Sequence, residues 1–182
     1  APYTDAKYEG IFFHQAFFVG GNVRKNVQAG YADYIPIFLS ETQKLYRSGA
    51  LPCDVAMIQV STPDKHGYVS LGTSVDATLA AIECAREVIA VVNKHVPRSW
   101  GDAMIPLSMI DYFVEDDAVL EPAHFSEPSE IEKAIGINCA NLIEDGATLQ
   151  MGIGAIPNAV LAQLGNHKNL GIHTEMFADG VL

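Results

Sequence analysis

Residues 147–175 read as a β-α-β unit, and this unit constrains the fold more than any other stretch. Leu149-Gln150-Met151 runs as a strand into Gly152-Ile153-Gly154, and a helix is expected from Pro157, as its first residue, to Leu164, with Gly165 as its stop. A second apolar stretch, Leu170-Gly171-Ile172, follows and leads to His173-Thr174-Glu175. Strands joined through a helix lie parallel, and ligands of such folds bind beyond the strands' carboxyl ends. If the two strands share one sheet, Glu175 sits at the same edge as the glycine loop.

The rest of the chain alternates in the same way. Residues 11–19 are strand-like and broken by Gly20-Gly21; residues 22–29 suit a short helix opened by Asn22 and stopped by Gly30. Residues 34–39 return to strand character despite Pro36, which suits an edge or a strand start. Ser40 is placed to cap a helix through Arg47, with Gly49 as its stop. A buried strand over 54–60 precedes the loop Ser61-Thr62-Pro63-Asp64-Lys65-His66-Gly67-Tyr68. A helix over 75–86 follows, and 88–92 is a strand of almost pure Val, Ala and Ile, the pattern of a position covered on both faces.

Residues 93–128 are less regular, with one strand over 110–114. They keep Trp100, Tyr112, Phe113 and Phe125, which suits a crossing segment or an interface rather than a linker. Ser129-Glu130-Ile131-Glu132 matches a capping box, with Ile131, Ile135, Leu142 and Ile143 as the apolar stripe and Asp145-Gly146 as the stop. Alternation of this kind specifies an α/β fold: a mainly parallel open sheet with helices on both faces.

The totals narrow the function. A chain of 182 residues suits one domain or part of a larger one. It begins Ala1-Pro2-Tyr3 and stops at Leu182 soon after Glu175, so a piece of a longer polypeptide is expected. The net charge of −11 argues against a nucleic-acid partner, which needs a basic footprint. An anionic small molecule remains open, because backbone N–H groups hold anions without net positive charge. Cys53, Cys84 and Cys139 are too far apart for a zinc knuckle or a disulfide framework, which points to a reducing, cytoplasmic compartment. No apolar run approaches the roughly 20 residues of a membrane span, and no signal-peptide layout opens the chain.

Candidate chemistry gathers at the β-α-β unit. The loop from Gly152 to Pro157 presents backbone donors to an anion or oxyanion; the alternative is a tight turn with no ligand. Glu175 is either a solvated strand end or a nucleophile facing that cradle. His173 shares its face by strand alternation and could orient it, while Thr174 points away. Gln150 lies two residues before Gly152, where its amide could reach the same crevice. Gly152-Ile153-Gly154 with an acidic residue about twenty positions on also matches part of a dinucleotide fingerprint, with Glu175 on a ribose. Pro157, where that motif wants Gly or Ala, counts against it. The loop of residues 63–68 could line a crevice or be a surface turn, and Gly20-Gly21-Asn22 with Arg24 is either a second anion nest or a plain helix cap. Metal binding is not expected at the 63–68 loop, where only two side chains are plausible ligands.

These motifs together resemble the acetyl-CoA hydrolase/transferase family, on its 4-hydroxybutyrate and butyryl-CoA:acetate CoA-transferase side. Besides Leu149-Gln150-Met151-Gly152-Ile153-Gly154-Ala155-Ile156-Pro157 and Leu170-Gly171-Ile172-His173-Thr174-Glu175-Met176, the likeness includes Phe18-Val19-Gly20-Gly21 and Gly49-Ala50-Leu51-Pro52-Cys53-Asp54-Val55-Ala56. It continues through Pro63-Asp64-Lys65-His66-Gly67-Tyr68 and Ile143-Glu144-Asp145-Gly146-Ala147-Thr148. The resemblance implies ping-pong transfer of CoA between an acyl-CoA and a short carboxylate through a glutamyl-CoA thioester, or hydrolysis of acetyl-CoA as the runner-up. It implies Glu175 as the catalytic residue, and Gly152, Ile153, Gly154, Ala155 and Ile156 as the CoA-binding and oxyanion segment. Gln150 would hold the carboxylate substrate. CoA enters as substrate, with no metal and no tightly bound cofactor. Residues 1–182 then correspond to most of an N-terminal CoA-transferase domain, of the NagB/RpiA-like kind. A leading segment and a C-terminal domain of the same polypeptide lie outside them. A homo-oligomer without nucleic-acid or membrane partners is implied, as is little or no activity for these residues alone.

Overall fold

The computed structural model describes residues 2–122 and 127–182 and, of Asp179, the backbone alone. Phe125, one of the aromatics singled out above, lies outside the described residues. The fold is α/β, divided into two compact units, Ala1–Leu120 and Glu121–Leu182.

In the first unit β1 (His14–Ala16), α1 (Arg24–Gln28) and β2 (Ala32–Tyr34) form a small parallel β-α-β pair. α2 (Leu39–Arg47) leads to β3 (Val55–Val60), β4 (Tyr68–Ser70), α3 (Thr78–Cys84), β5 (Glu87–Val92), β6 (Met104–Pro106) and β7 (Tyr112–Glu115). β3, β5 and β7 make a parallel sheet with β5 in the middle, while β4 and β6 pair antiparallel. The strand period of two decides which side chains enter the core. Ala56, Ile58 and Val60 of β3 and Val88 and Ala90 of β5 are buried, and they share one core with Ile82 of α3, Val69, Leu71 and Ile105. The alternate side chains face outward: Met57 is 79% exposed, and Val55, Tyr112 and Val114 are exposed beside it. The all-apolar run of β5 thus has one face sealed, with Ile89 and Val91 on the other half-buried.

Two helix starts differ from the sequence reading. Val23 and Phe38 occupy the N-cap positions of α1 and α2, neither with a side-chain cap of its own, so neither Asn22 nor Ser40 stands at the N-cap position. Residues 35–38, expected as strand, lie outside β2, although the Ile35 N–H still donates to Ala16 C=O at 2.9 Å. β2 ends at Tyr34.

The second unit holds α4 (Glu130–Ala140), β8 (Thr148–Leu149), α5 (Ala155–Leu161) and β9 (Gly171–Ile172). The capping box of α4 is present in both directions, from Glu132 N–H to Ser129 Oγ and from Ser129 N–H to Glu132 Oε2. The apolar stripe is not the expected one. Ile131 is 74% and Leu142 84% exposed, whereas Gly136 and Ala140 are buried. Small residues win that face because α5 packs close: a Cβ on Gly136 would lie 2.6 Å from the Ala159 carbonyl oxygen. α4 also ends at Ala140 instead of reaching Asp145-Gly146. Those two residues hold the turn before β8, accepting from Lys168 N–H at Asp145 Oδ1 and donating from Gly146 N–H to Lys168 C=O.

Candidate active site

β8 and β9 are parallel, with Thr148 opposite Gly171 and Leu149 opposite Ile172. Their carboxyl ends therefore lie at one edge, with the glycine loop after one strand and Glu175 after the other. Close approach of the strands needs Gly171, where a Cβ would meet Thr148 Oγ1 at 2.9 Å. Ladder bonds tie the pair, among them Gly171 N–H to Ala147 C=O and His173 N–H to Leu149 C=O, each 2.9 Å. Beyond them, the Thr174 hydroxyl accepts from Met151 N–H at 3.0 Å and donates to Met151 C=O at 2.9 Å. Through these two bonds the Thr174 side chain clasps the neighbouring strand. Glu175 is thereby the residue next to a clasp whose other side is Met151, the residue before Gly152.

Gly154 is the N-cap of α5 with φ 112° and ψ −173°, a conformation that belongs to glycine. The helix begins at Ala155, so Pro157 is its third residue rather than its first, still within the turn whose N–H groups lack helical partners. Among the described residues no hydrogen bond occupies the N–H groups of Gly152, Ile153, Gly154, Ala155 and Ile156. Gly152 has no such backbone requirement, and a Cβ there would make only an ordinary contact, 3.5 Å from Pro157 Cγ. Neither strain nor crowding explains the missing side chain.

Gln150, Glu175 and His173 are all exposed. No hydrogen bond or ion pair among the described residues engages the Glu175 carboxylate, and none joins it to the His173 ring. Ile153, Ile156, Met176 and Phe177 are exposed apolar neighbours in sequence. The second unit thus presents an uncommitted carboxylate, an amide and a run of free N–H donors, with apolar side chains close by in the chain.

The loop of residues 63–68, in the first unit, is a turn held from inside. Asp64 Oδ1 accepts from His66 N–H at 2.8 Å and from Tyr68 N–H at 2.9 Å. Arg98 closes it with bonds to Asp64 Oδ2 at 3.0 Å, Thr62 C=O at 2.9 Å and Ser61 Oγ at 3.2 Å. The Tyr68 N–H, followed by the His66 N–H and the Arg98 charge, holds the Asp64 carboxyl below its ordinary value. Arg98 carried no motif in the sequence; with Lys94 it was one of two Lys or Arg residues within the irregular segment. At Gly20 the carbonyl oxygen accepts from Val23 N–H and Arg24 N–H, which is the opening of a helix. Among the described residues no group of three or more His, Cys, Asp or Glu could hold a metal ion, and no helix is long and apolar enough to cross a membrane.

A family model described as the acetyl-CoA hydrolase/transferase N-terminal domain matches residues 1–123. The chain is 54% identical over 180 residues to the 4-hydroxybutyrate coenzyme A transferase of Clostridium kluyveri, covering 99% of this chain and 42% of that protein. It is 52% identical over 185 residues to the succinyl-CoA:acetate/propanoyl-CoA:succinate CoA transferase of Fasciola hepatica, covering 100% of this chain and 38% of that one. Among solved structures, the 4-hydroxybutyrate CoA-transferase of Porphyromonas gingivalis matches with a TM-score of 0.74 at 45% identity, over 93% of this chain and 43% of that chain. The chain therefore spans about two fifths of the length of the relatives it matches, 42% and 38% for the two curated ones.

Proposed function

The chain belongs to the acetyl-CoA hydrolase/transferase family, and we propose that it carries the nucleophile-bearing wall of a CoA-transferase acting between an acyl-CoA and a short carboxylate. In this reading a Glu175 carboxylate oxygen attacks the thioester carbon, the C–S bond breaks, and CoA leaves as thiolate. The thiolate then attacks the glutamyl carbonyl of the resulting anhydride, which releases the first carboxylate and leaves a glutamyl-CoA thioester. An acceptor carboxylate attacks that thioester in turn, forming a second anhydride. The returning thiolate attacks its acyl carbon, which yields the new acyl-CoA and regenerates Glu175. No net proton is consumed.

Each attack places negative charge on a carbonyl oxygen, and preorganised N–H donors stabilise such charge without reorganising. The N–H groups of Gly152, Ile153, Gly154, Ala155 and Ile156 take that role, and Gln150 holds the substrate carboxylate. CoA is a substrate here, and no tightly bound cofactor is invoked. A further domain of the same polypeptide, a homo-oligomeric assembly and a cytoplasmic setting belong to the same reading; the three free cysteines support the last. Residues 1–182 alone are expected to turn over little.

The observation that carries the proposal is the Thr174–Met151 clasp, which sets Glu175 beside a loop of unoccupied donors. The test is to incubate the enzyme that contains this sequence with acyl-CoA and weigh the peptide bearing Glu175. A CoA adduct there, lost in Glu175→Ala, is expected. Its absence, or full activity in Glu175→Ala, overturns the reading. Release of free CoA without any acceptor carboxylate would favour acetyl-CoA hydrolysis instead.

A further inference from the structure

We propose that Thr174 is the positioning residue of this site: its hydroxyl replaces the last rung of the β8–β9 ladder and so sets where Glu175 stands. The inference rests on Glu175 being the nucleophile. In a parallel pair, alternate residues of one strand bond to groups on either side of their partner. β9 follows this pattern with Gly171 N–H to Ala147 C=O and His173 N–H to Leu149 C=O. One step further, the pattern assigns Met151 N–H to His173 C=O and Met151 C=O to Glu175 N–H. Neither bond forms. Both Met151 groups go to Thr174 Oγ1, at 3.0 Å and 2.9 Å.

A hydroxyl can do this because it donates once and accepts besides. The substitution has two effects. Met151 enters the glycine loop with its N–H and C=O satisfied, avoiding the cost of leaving half-buried polar groups unpaired. Glu175 is released from the ladder, and the chain bends there instead of continuing the pleat. The residue before the nucleophile is thus pinned to the residue before Gly152, across 23 positions of sequence. Valine would keep the shape of Thr174 and lose both bonds, whereas serine would keep both.

Two readouts in the active enzyme test this: steady-state transfer, and hydrogen exchange at the Met151 amide. Thr174→Val is expected to lower kcat at least tenfold, toward the roughly 100-fold that a 1 Å misplacement costs. Its KM for acyl-CoA should stay within about twofold, the mark of a transition-state effect, and Met151 should exchange faster. Thr174→Ser should hold kcat within about threefold of wild type and keep Met151 protected, since it retains the hydroxyl. Wild-type kcat in Thr174→Val, unchanged Met151 exchange in that variant, or an equal loss in Thr174→Ser each overturns the proposal. If wild type forms no glutamyl adduct, the nucleophile reading fails and the positioning role falls with it. The exchange data would still report the clasp on their own.

Discussion

Gly152 and Gly154 flank a single isoleucine and are glycines for different reasons. At Gly154 the backbone angles exclude a Cβ, so Gly154→Ala is expected to destabilise the protein by about 1–3 kcal/mol. Gly152 carries no such constraint. Gly152→Ala should leave the urea midpoint within the equivalent of about 0.5 kcal/mol of wild type. Under the proposed function it should nevertheless slow formation of the Glu175 adduct, because a methyl group would enter the loop the thioester approaches. Equal destabilisation by both substitutions would show that Gly152 is structural. The Gly-x-Gly pattern was legible in the sequence, but this difference was not, since it depends on φ and on what surrounds each Cα. The Thr174 clasp was not legible for a related reason: strand alternation describes side chains only while the strand continues, and β9 ends at Ile172.

Among elements, α4 shows most plainly what periodicity reads and what it misses. Its start was legible because a capping box is local, and Ser129→Ala should cost about 1 kcal/mol. Its buried face was not legible. Ile131 and Leu142 dominate the apolar pattern by size, yet the helix turns Gly136, Cys139 and Ala140 toward α5. Gly136→Ala forces a methyl group against the Ala159 carbonyl and should cost about 1–3 kcal/mol. Ile131→Ala removes an exposed side chain and should stay within about 0.5 kcal/mol. Denaturant unfolding of the three variants checks this order, and a larger loss for Ile131→Ala than for Gly136→Ala would refute the packing described.

For the molecule as a whole, the net charge of −11 rests on 22 carboxylates, and among the described residues three of them are held below their ordinary values by specific partners. Asp64 is held mainly by the Tyr68 N–H, Glu132 mainly by the Ser129 hydroxyl, and Glu130 mainly by its hydrogen bond with Lys133. With folded values below unfolded ones, the unfolded chain binds more protons in acid, so stability rises with pH. These contributions are complete above the ordinary carboxylate range and vanish as pH falls through the depressed folded values. The urea midpoint should therefore drop between pH 6 and pH 3, and less steeply in an Asp64→Asn, Glu132→Gln double variant; equal slopes would refute the assignment. The sequence by itself determined the α/β class, the order of most elements, the capping box and the candidate residues, because propensity, period and motif are local properties. Only the tertiary structure decided which faces close and how the site edge is built. The Thr174–Met151 clasp joins residues 23 apart, and the Gly136–Ala159 contact likewise forms only between helices already packed. Hydrogen bonds and close contacts of that range exist only once the chain has folded, so no local pattern announces them.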